Sequence, residues 1–531
     1  MRSNATTAFH FMNNGNRFFA KSLCSGLLIL AALAIGGCGT NPVTKKSELS
    51  WMSEQQEIRL GSQQYLQNQQ SSGGKFNLDP QLAAYVNEVG QKLVRVSDRP
   101  NLPFEFVVIN DSVPNAWALP GGKLAVNRGL LTELKSEAEL AAVLSHEIVH
   151  AAARHGAGSM ERGILLSTGA AIISVLAADK NNHGLIDFAA AGGAALLSLR
   201  FSREHELEAD HYGIDYMVRA GYDPKAAVEL QETFVRLSGD KSTGWLAGMF
   251  ATHPPSQERV DANRNMAASL PANLYRGEDV YQRKTAFLTI SKPAYAAHDE
   301  GRKSLDKDPA HALAQAERAI KLEPREAMFH ALRGDALKKL GRAAEAEHEY
   351  GEAIKRNGDY YAYFLSRGLT RSRLGNSAGA QSDLERSNAL LPTAAAHYVL
   401  GTLAQSASNQ AKAIEHFKLA AGSDSEVGKR AGSSLARLDL PRNPGNYVQV
   451  EPVADGNGHL GLRVTNRSPL ALRNLRVAGA VPQSGFVREY SIPGSLQPGQ
   501  STVVAMGVRL SDFSVGLNQV RGQVRGADPA E

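Results

Sequence analysis

The sequence predicts a multidomain, mainly α-helical protein. Three features lead to this prediction: an α+β region with a His-Glu-x-x-His helix, a series of helices that repeats at regular intervals, and short β-type segments after Pro441. A chain of 531 residues is too long for one hydrophobic core, so two to four domains are expected. With 43% hydrophobic and 21% charged residues, the composition is typical of globular proteins and excludes bulk disorder.

The N-terminal residues 1–37 are typical of an export signal. Arg17 and Lys21 supply positive charge ahead of an apolar core, Leu23 to Ile35, that is too short to span a bilayer. The core ends in "AIGGC", which resembles a bacterial lipobox. We therefore predict cleavage before Cys38 and lipidation of its thiol, with a plain signal peptide and a stray cysteine as the alternative.

Cysteine and charge counts limit the chemistry further. The chain has 2 cysteines, and Cys24 lies within the signal, so the mature body cannot form a disulfide bond. A zinc site would have to use histidines and carboxylates. The net charge is +5, and it falls when the predicted signal is removed with Arg2, Arg17 and Lys21. A charge this small does not indicate nucleic-acid binding.

Residues 38–52 are predicted to be a tether, and residues 53–285 an α+β domain. Ser53 can cap a first helix through a capping box. The runs "PFEFVVIN" and "KLAVN" read as strands on either side of "NAWALPGG", and residues 136–154 have helical periodicity. Two apolar tracts, which start at Gly163 and Gly184, are shorter than a membrane span. We interpret them as buried or lid-like helices, with a membrane-touching hairpin as the alternative.

Residues 295–440 contain a repeat. Gly301, Gly334, Gly368 and Gly401 recur at intervals of 33, 34 and 33 residues. This spacing resembles tetratricopeptide repeats, about three and a half of them, which would form an α-solenoid with a concave groove for a partner protein. An irregular helical bundle with chance spacing is the alternative.

Residues 441–526 have a different sequence pattern. Short β-type runs alternate with Gly, Pro and Asn turns, which predicts a small β-sandwich. No catalytic constellation stands out in this segment, so we interpret it as a packing or partner module.

The stretch "LSHEIVH" contains the candidate metal-binding residues. His146 and His150 are four residues apart on a predicted helix, so both imidazoles leave the same face and can bind one zinc ion. Glu147 can reach a water on that metal as general base. The motif also arises by chance in roughly a few per cent of chains of this length.

A catalytic zinc usually has a third protein ligand. The segment "SREHELEADHYG" offers several candidates: Glu204, His205, Glu206, Glu208 and Asp210. Glu206 and Asp210 share one helix face, so Glu206 could ligate zinc while Asp210 hydrogen-bonds a ligating imidazole. His205 points away from that face, and the whole segment could instead be a solvated acidic helix.

Five segments in this order resemble the HtpX/BepA-type zinc metallopeptidases, which are gluzincins. They are "SEQQEIRLG", "NAWALPGGKLAVNRGLL", "ELAAVLSHEIVHAAARH", "EHELEAD" and "THPPSQERV", between about Ser53 and Arg264. The repeats resemble the BepA subclass of periplasmic, outer-membrane-associated proteases. The β-rich tail lies outside the resemblance.

The resemblance implies one Zn²⁺ per chain, held by His146, His150 and Glu206. It makes Glu147 the general base and Asp210 the partner of a ligand. The strand at Asn115, Trp117 and Ala118 would line the cleft and bind extended peptides by backbone pairing. The family usually has Phe where this chain has Trp117, a change that keeps an aromatic side chain.

Two further residues lie beyond these motifs. His253, next to two prolines, could fill the open zinc position and keep the enzyme latent; a helix-capping histidine is the alternative. Arg259 could stabilise the oxyanion of the tetrahedral intermediate, or be a surface arginine. His155 is interpreted as a loop or surface residue.

The sequence therefore predicts a zinc endopeptidase of the bacterial envelope. The resemblance implies a periplasmic protein that degrades misfolded or stalled envelope proteins. We expect it to be lipid-anchored to the outer membrane and to contact assembly proteins through its repeats. The alternative is a repeat-based chaperone or assembly scaffold whose zinc is structural or latent.

Overall fold

The computed structural model describes residues 38–166, 201–239, 252–513 and 515–530. The chain forms two compact units. The first extends to Leu332 and includes Arg356–Tyr360, and the second consists of Arg333–Lys355 and Tyr361–Glu531. The predicted export signal lies outside the described residues, as do most of the two apolar tracts that begin at residues 163 and 184. Within the described part of the chain, no helix is long and apolar enough to cross a bilayer.

The first unit opens with a small antiparallel hairpin. Its strands are β1 (Cys38–Thr40) and β2 (Ser47–Leu49). The hairpin packs on the α+β region, because Asn41 Nδ2 donates to the Ala153 carbonyl oxygen at 3.0 Å. The segment predicted as a tether is therefore folded at its start.

Two helices follow the hairpin, and the first was predicted. Helix α1 (Glu54–Ser71) begins with the expected capping box between Ser53 and Gln56. Helix α2 (Pro80–Val94) is capped by Asp79 and buries an apolar stripe of Leu82, Val86, Val89 and Leu93.

A three-stranded sheet comes next. Strands β3 (Glu105–Ile109), β4 (Ala116–Leu119) and β5 (Lys123–Asn127) are arranged in the order β3-β5-β4. Strand β5 pairs parallel with β3 and antiparallel with β4. Gly121 at the β4–β5 turn has a φ of 73°, and a Cβ there would lie 2.5 Å from Ile58 Cα. Because β5 lies between the other two strands, β4 is an edge strand of this sheet.

Helices surround this sheet and complete the α+β region. In chain order they are α3 (Arg128–Leu131), α4 (Glu137–Ala152), α5 (His155–Leu166), α6 (Arg203–Arg219), α7 (Lys225–Gly239), α8 (Gln257–Ala268) and α9 (Glu278–Lys284). Helix α4 is the centre of the region, since all but one of its side chains are buried. It carries the His-Glu-x-x-His motif in the core.

The repeat region is helical throughout, as predicted. Helices α10 (Ala286–Ser304), α11 (Pro309–Leu322) and α12 (Ala327–Lys339) begin it. They are followed by α13 (Ala343–Arg356), α14 (Tyr361–Arg373), α15 (Ser377–Leu390), α16 (Ala394–Ser406), α17 (Gln410–Ala421) and α18 (Glu426–Asp439). The paired helices give a solenoid like that of tetratricopeptide repeats.

Two three-stranded antiparallel sheets form the C-terminal part of the second unit. Their strands are β6 (Val448–Ala454), β7 (His459–Asn466), β8 (Leu472–Val481), β9 (Phe486–Ile492), β10 (Ser501–Arg509) and β11 (Arg521–Pro529). The sheet orders are β10-β7-β6 and β11-β8-β9. Leu462, Val477 and Met506 are fully buried in the core of this part, as the predicted β-sandwich requires.

Candidate metal centre

Helix α4 places His146 and His150 side by side. Ser136 caps the helix by accepting a hydrogen bond from the Glu139 amide. The four-residue spacing puts both imidazoles on one face, with their Nε2 atoms 3.0 Å apart. Two neutral imidazoles at this separation can share one ion.

Helix α6 brings a carboxylate to the same point. Glu206 Oε1 lies 3.4 Å from His150 Nε2, and Glu206 Oε2 lies 3.5 Å from His146 Nε2. The helices can approach because Gly213 faces α4: a Cβ there would be 3.3 Å from the His146 amide nitrogen. The third ligand predicted from the sequence therefore lies beside the first two.

His253 completes the cluster. Its Nδ1 lies 3.1 Å from Glu206 Oε1 and 3.3 Å from His146 Nε2. One donor atom from each of His146, His150, Glu206 and His253 lies within 4.8 Å of all the others, and the described residues contain no other such group. Three imidazole nitrogens and one carboxylate oxygen suit tetrahedral zinc.

Asp210 and Arg259 support one side of the cluster. His146 Nδ1 lies 2.9 Å from Asp210 Oδ1, an arrangement that fixes the imidazole so that Nε2 faces the ion. Arg259 donates to both oxygens of Asp210, at 2.6 and 2.7 Å, and its Nη1 lies 2.8 Å from Glu206 Oε2. Arg259 is only 4% exposed, so it is a buried residue that binds two site carboxylates.

His155 and Glu208 support the other side. His155 Nδ1 lies 2.9 Å from His150 Nδ1, and His155 Nε2 lies 3.5 Å from Glu208 Oε2. Glu208 accepts a hydrogen bond from Lys46 of the N-terminal hairpin at 2.6 Å. The His205 ring stacks on His155, with centroids 4.2 Å apart.

The interpretation of His155 as a loop or surface residue was wrong, because its side chain is 2% exposed and contacts a predicted ligand. Arg154, just before it, adopts a positive φ of 61° that ends α4 and turns the chain. His155 therefore folds back on the motif. The only feature of the sequence that could have indicated this role of His155 is its position five residues after His150, the last histidine of "HEIVH".

The ionisation of Glu206 and His150 favours metal ligation, whereas that of His146 opposes it. Burial opposes ionisation of Glu206, but the neighbouring His253, His146 and His150 hold its pKa well below the usual value. Burial also lowers the pKa of His150, which leaves that imidazole neutral. For His146, burial is outweighed by the hydrogen bonds to Asp210 and Glu206, which raise its pKa to about 10. Zinc must therefore displace a proton from His146.

Glu147 lies at the centre of the site. Its Oε1 is 3.6 Å from His253 Nε2, while its buried Oε2 has no hydrogen-bond partner among the described residues. An unsatisfied buried carboxylate oxygen is costly, and it marks a position where a water or substrate proton can bind.

Strand β4 borders the same site. Ala116 lines a cavity next to His146 and Glu147. The Trp117 side chain turns the other way and packs edge-on against Tyr65, with ring centroids 6.2 Å apart. The Trp117 side chain is thus not available to a peptide in the cleft, and Ala116 was the cleft residue that the sequence analysis missed.

Residues 80–267 match the family model described as Peptidase family M48. This part of the chain is therefore a metallopeptidase domain of family M48, and the resemblance to the HtpX/BepA-type zinc metallopeptidases is confirmed for it.

Among similar curated proteins is the beta-barrel assembly-enhancing protease of Escherichia coli K12. It is 30% identical over 301 residues, which are 53% of this chain and 58% of that protein. The mitochondrial metalloendopeptidase OMA1 of Schizosaccharomyces pombe is 37% identical over 178 residues, 33% of this chain and 50% of that protein. The chain spans about half the length of these relatives.

The repeats also match solved structures. MamA from Desulfovibrio magneticus RS-1 shares 19% identity, with a TM-score of 0.27, over 30% of this chain and 89% of that one. At this score the match carries no functional argument.

Proposed function

We propose that the protein is a zinc-dependent endopeptidase of the bacterial envelope that cleaves misfolded or stalled envelope proteins. The observation that supports this most directly is the Glu147 Oε2 atom, which has no hydrogen-bond partner among the described residues and lies beside four clustered metal-ligand side chains. The similar beta-barrel assembly-enhancing proteases support the cellular role. His146, His150 and Glu206 would hold one zinc ion.

In this proposal each residue has one task. Bound zinc would polarise the scissile carbonyl and acidify the attacking water. Glu147 Oε2 accepts the proton of that water and returns it to the leaving amine. Asp210 and His155 keep the ligand imidazoles in the correct tautomer through hydrogen bonds to Nδ1.

Arg259 has a revised role. The sequence analysis assigned it to the oxyanion, but its guanidinium already binds Asp210, Glu206 and the Pro254 carbonyl oxygen. We assign it the task of positioning Glu206 and Asp210, because its donors are engaged before any substrate arrives.

Strand β4 would bind the substrate through its backbone. It is an edge strand beside the site, so an extended peptide could add to the sheet at Asn115, Trp117 and Ala118. Backbone pairing tolerates many sequences, which suits the degradation of misfolded proteins. The repeats would contact envelope assembly proteins.

His253 would make the resting enzyme latent. Its ring lies within 3.6 Å of Glu147, Glu206 and His146, where the water and the scissile carbonyl must enter. The loop that carries His253 would have to move before a substrate binds. The same contact fits the alternative, a scaffold with a blocked zinc, so an activity test is decisive.

The test measures zinc content and casein cleavage on the chain from Gly39 onward. The parent, Glu147→Gln, His253→Ala and the control His211→Ala are compared. We expect one zinc per chain in the parent and in Glu147→Gln. Casein cleavage should be weak in the parent, increased in His253→Ala and absent in Glu147→Gln. Zinc without cleavage in any form would favour the scaffold, and no zinc would exclude the proposed site.

The membrane anchor needs a separate test. We propose that Cys38 is lipidated and holds the protein at the outer membrane. Metabolic labelling with a fatty acid should label the parent and not Cys38→Ser. Equal labelling, or none in the parent, would contradict the anchor.

A further inference from the structure

A cavity runs from the metal centre into the peptidase core. Its volume is about 50 Å³. His146, Glu147, Asp210, His253 and Arg259 line it at the metal centre, and most of the remaining lining is apolar, including Leu130, Val143, Ile214, Met217, Leu230 and Phe234. Because residues that would act on the scissile bond line this cavity, a side chain that enters it would belong to a residue next to that bond.

The size of the cavity restricts its occupant. A volume of about 50 Å³ holds roughly four water-sized atoms, at ~10–15 Å³ each. Side chains of four or five non-hydrogen atoms, such as those of leucine, methionine, asparagine and glutamine, fit without rearrangement. Phenylalanine and tryptophan are too large, and serine leaves most of the space empty.

Gln231 adds a polar requirement. This residue of α7 lines the cavity and is 7% exposed. Its Oε1 is buried and has no hydrogen-bond partner in the described part of the chain. A buried acceptor without a donor is unfavourable, so an occupant that brings a donor is preferred over an apolar one of the same size.

Charged occupants are disfavoured. A lysine ammonium would lose its hydration among the apolar walls, and the Asp210 carboxylate at the wall is already paired with Arg259. A carboxylate brings no donor for Gln231 and would pass Glu147 and Asp210 at the cavity wall. A primary amide carries a donor and an acceptor and no charge.

We propose that Gln231 is a specificity-determining residue, and that the cavity selects a glutamine or asparagine side chain next to the scissile bond. This inference rests on the proposed peptidase function. It narrows the substrates to polypeptides with an amide side chain at one of the two positions that flank the cleaved bond.

The test is a binding measurement that needs no catalysis. The probes are ten-residue peptides of alternating Ala and Ser with one central Gln, Met, Leu or Phe. The protein is the zinc-loaded chain from Gly39 onward with Glu147→Gln and His253→Ala, which removes the base and the blocking ring. We expect the Gln peptide to bind about tenfold more tightly than the Met peptide, and the Phe peptide to bind most weakly.

Two variants of Gln231 make the test specific. Gln231→Met should abolish the preference for Gln over Met. Gln231→Leu also removes the acceptor and should likewise abolish that preference if Gln231→Met does not fold. Equal affinities for the Gln and Met peptides, or a preference that survives in the folded variants, would overturn the inference. Failure to cleave casein would instead contradict only the peptidase proposal.

Discussion

At the scale of single residues, the site depends on how each ligand is held. His146 is oriented by Asp210 and Arg259, and His150 by His155 and Glu208. Each imidazole presents Nε2 to a metal when its proton is on Nδ1 and is donated to a hydrogen-bond acceptor. The two supporting pairs are therefore as specific a requirement as the ligands themselves.

His155→Phe tests the less expected pair. The change keeps an aromatic ring but removes the acceptor for His150 Nδ1, so we expect zinc affinity to fall by about 10- to 100-fold. Competition with a chromophoric chelator measures it. His155→Gln, which retains an acceptor, should recover part of the loss. The matched control is His205→Phe, because His205 stacks on His155 without binding a ligand; a similar loss in that control would refute the assignment.

Arg259→Lys distinguishes positioning from oxyanion stabilisation. Lysine keeps the charge but cannot bind Asp210 through two nitrogens. In a positioning role the variant should lose both zinc affinity and unfolding free energy, the latter by about 1–3 kcal/mol. A variant with normal zinc affinity and stability but reduced kcat would restore the oxyanion role. Arg264→Lys, an exposed change on the same helix, is the control for urea unfolding.

At the scale of elements, close helix packing explains the glycine periodicity. A Cβ at Gly368 would lie 2.8 Å from Leu384 Cγ, and a Cβ at Gly401 would lie 2.7 Å from the Phe417 ring. At Gly334 the corresponding contact is 2.8 Å to the Tyr350 ring. The glycines recur because the same crossing recurs in each repeat, with a large side chain of the next helix against the backbone.

Gly401→Ala should destabilise the repeats. Alanine favours a helix by about 0.8–1.0 kcal/mol over glycine, but overpacking costs about 1–3 kcal/mol, and the rigid Phe417 ring leaves little room for relief. We expect a net loss of about 1 kcal/mol, measured by urea unfolding followed by circular dichroism.

Gly351→Ala is the matched control within the repeats. Its Cβ would meet only Arg367 Nη1, at 3.7 Å, so the helix propensity gain should remain and the repeats should become slightly more stable. If both alanines raised stability, the close-packing explanation would fail.

At the scale of the whole molecule, the first unit includes the start of the repeats. Tyr295 of α10 hydrogen-bonds Glu326 at 2.5 Å, and Glu326 accepts from Asn110 Nδ2 at 3.1 Å, at the end of β3. The Arg128 guanidinium lies 3.4 Å from the centre of the Tyr295 ring. These buried polar contacts join the first repeat helices to the peptidase region. The domain limits proposed from the sequence remain a prediction.

Two units predict two thermal transitions. Only the first unit contains the metal cluster, so saturating zinc should raise one transition temperature, by several degrees at 100-fold excess over Kd. A chelator should reverse the change without affecting the second transition. Calorimetry of the chain from Gly39 onward measures both. A single transition that responds as a whole to zinc would mean that the units unfold together.

The sequence by itself determined the elements and their chemistry. Helix caps, apolar periodicity, the glycine interval and the His-Glu-x-x-His spacing are local properties, and each is encoded within a few residues of where it acts. They were enough to predict the peptidase region, the repeats and the β-rich tail. They also singled out His146, Glu147, His150, Glu206, Asp210 and His253.

Only the tertiary structure decided what these residues contact. His155 became a partner of His150 because Arg154 reverses the chain, and Arg259 became a partner of Asp210 because α8 packs on α6. Gln231 came to face the metal centre from α7, far away in sequence. Such contacts depend on how helices pack over long sequence separations, and no local pattern specifies the direction in which a buried side chain points.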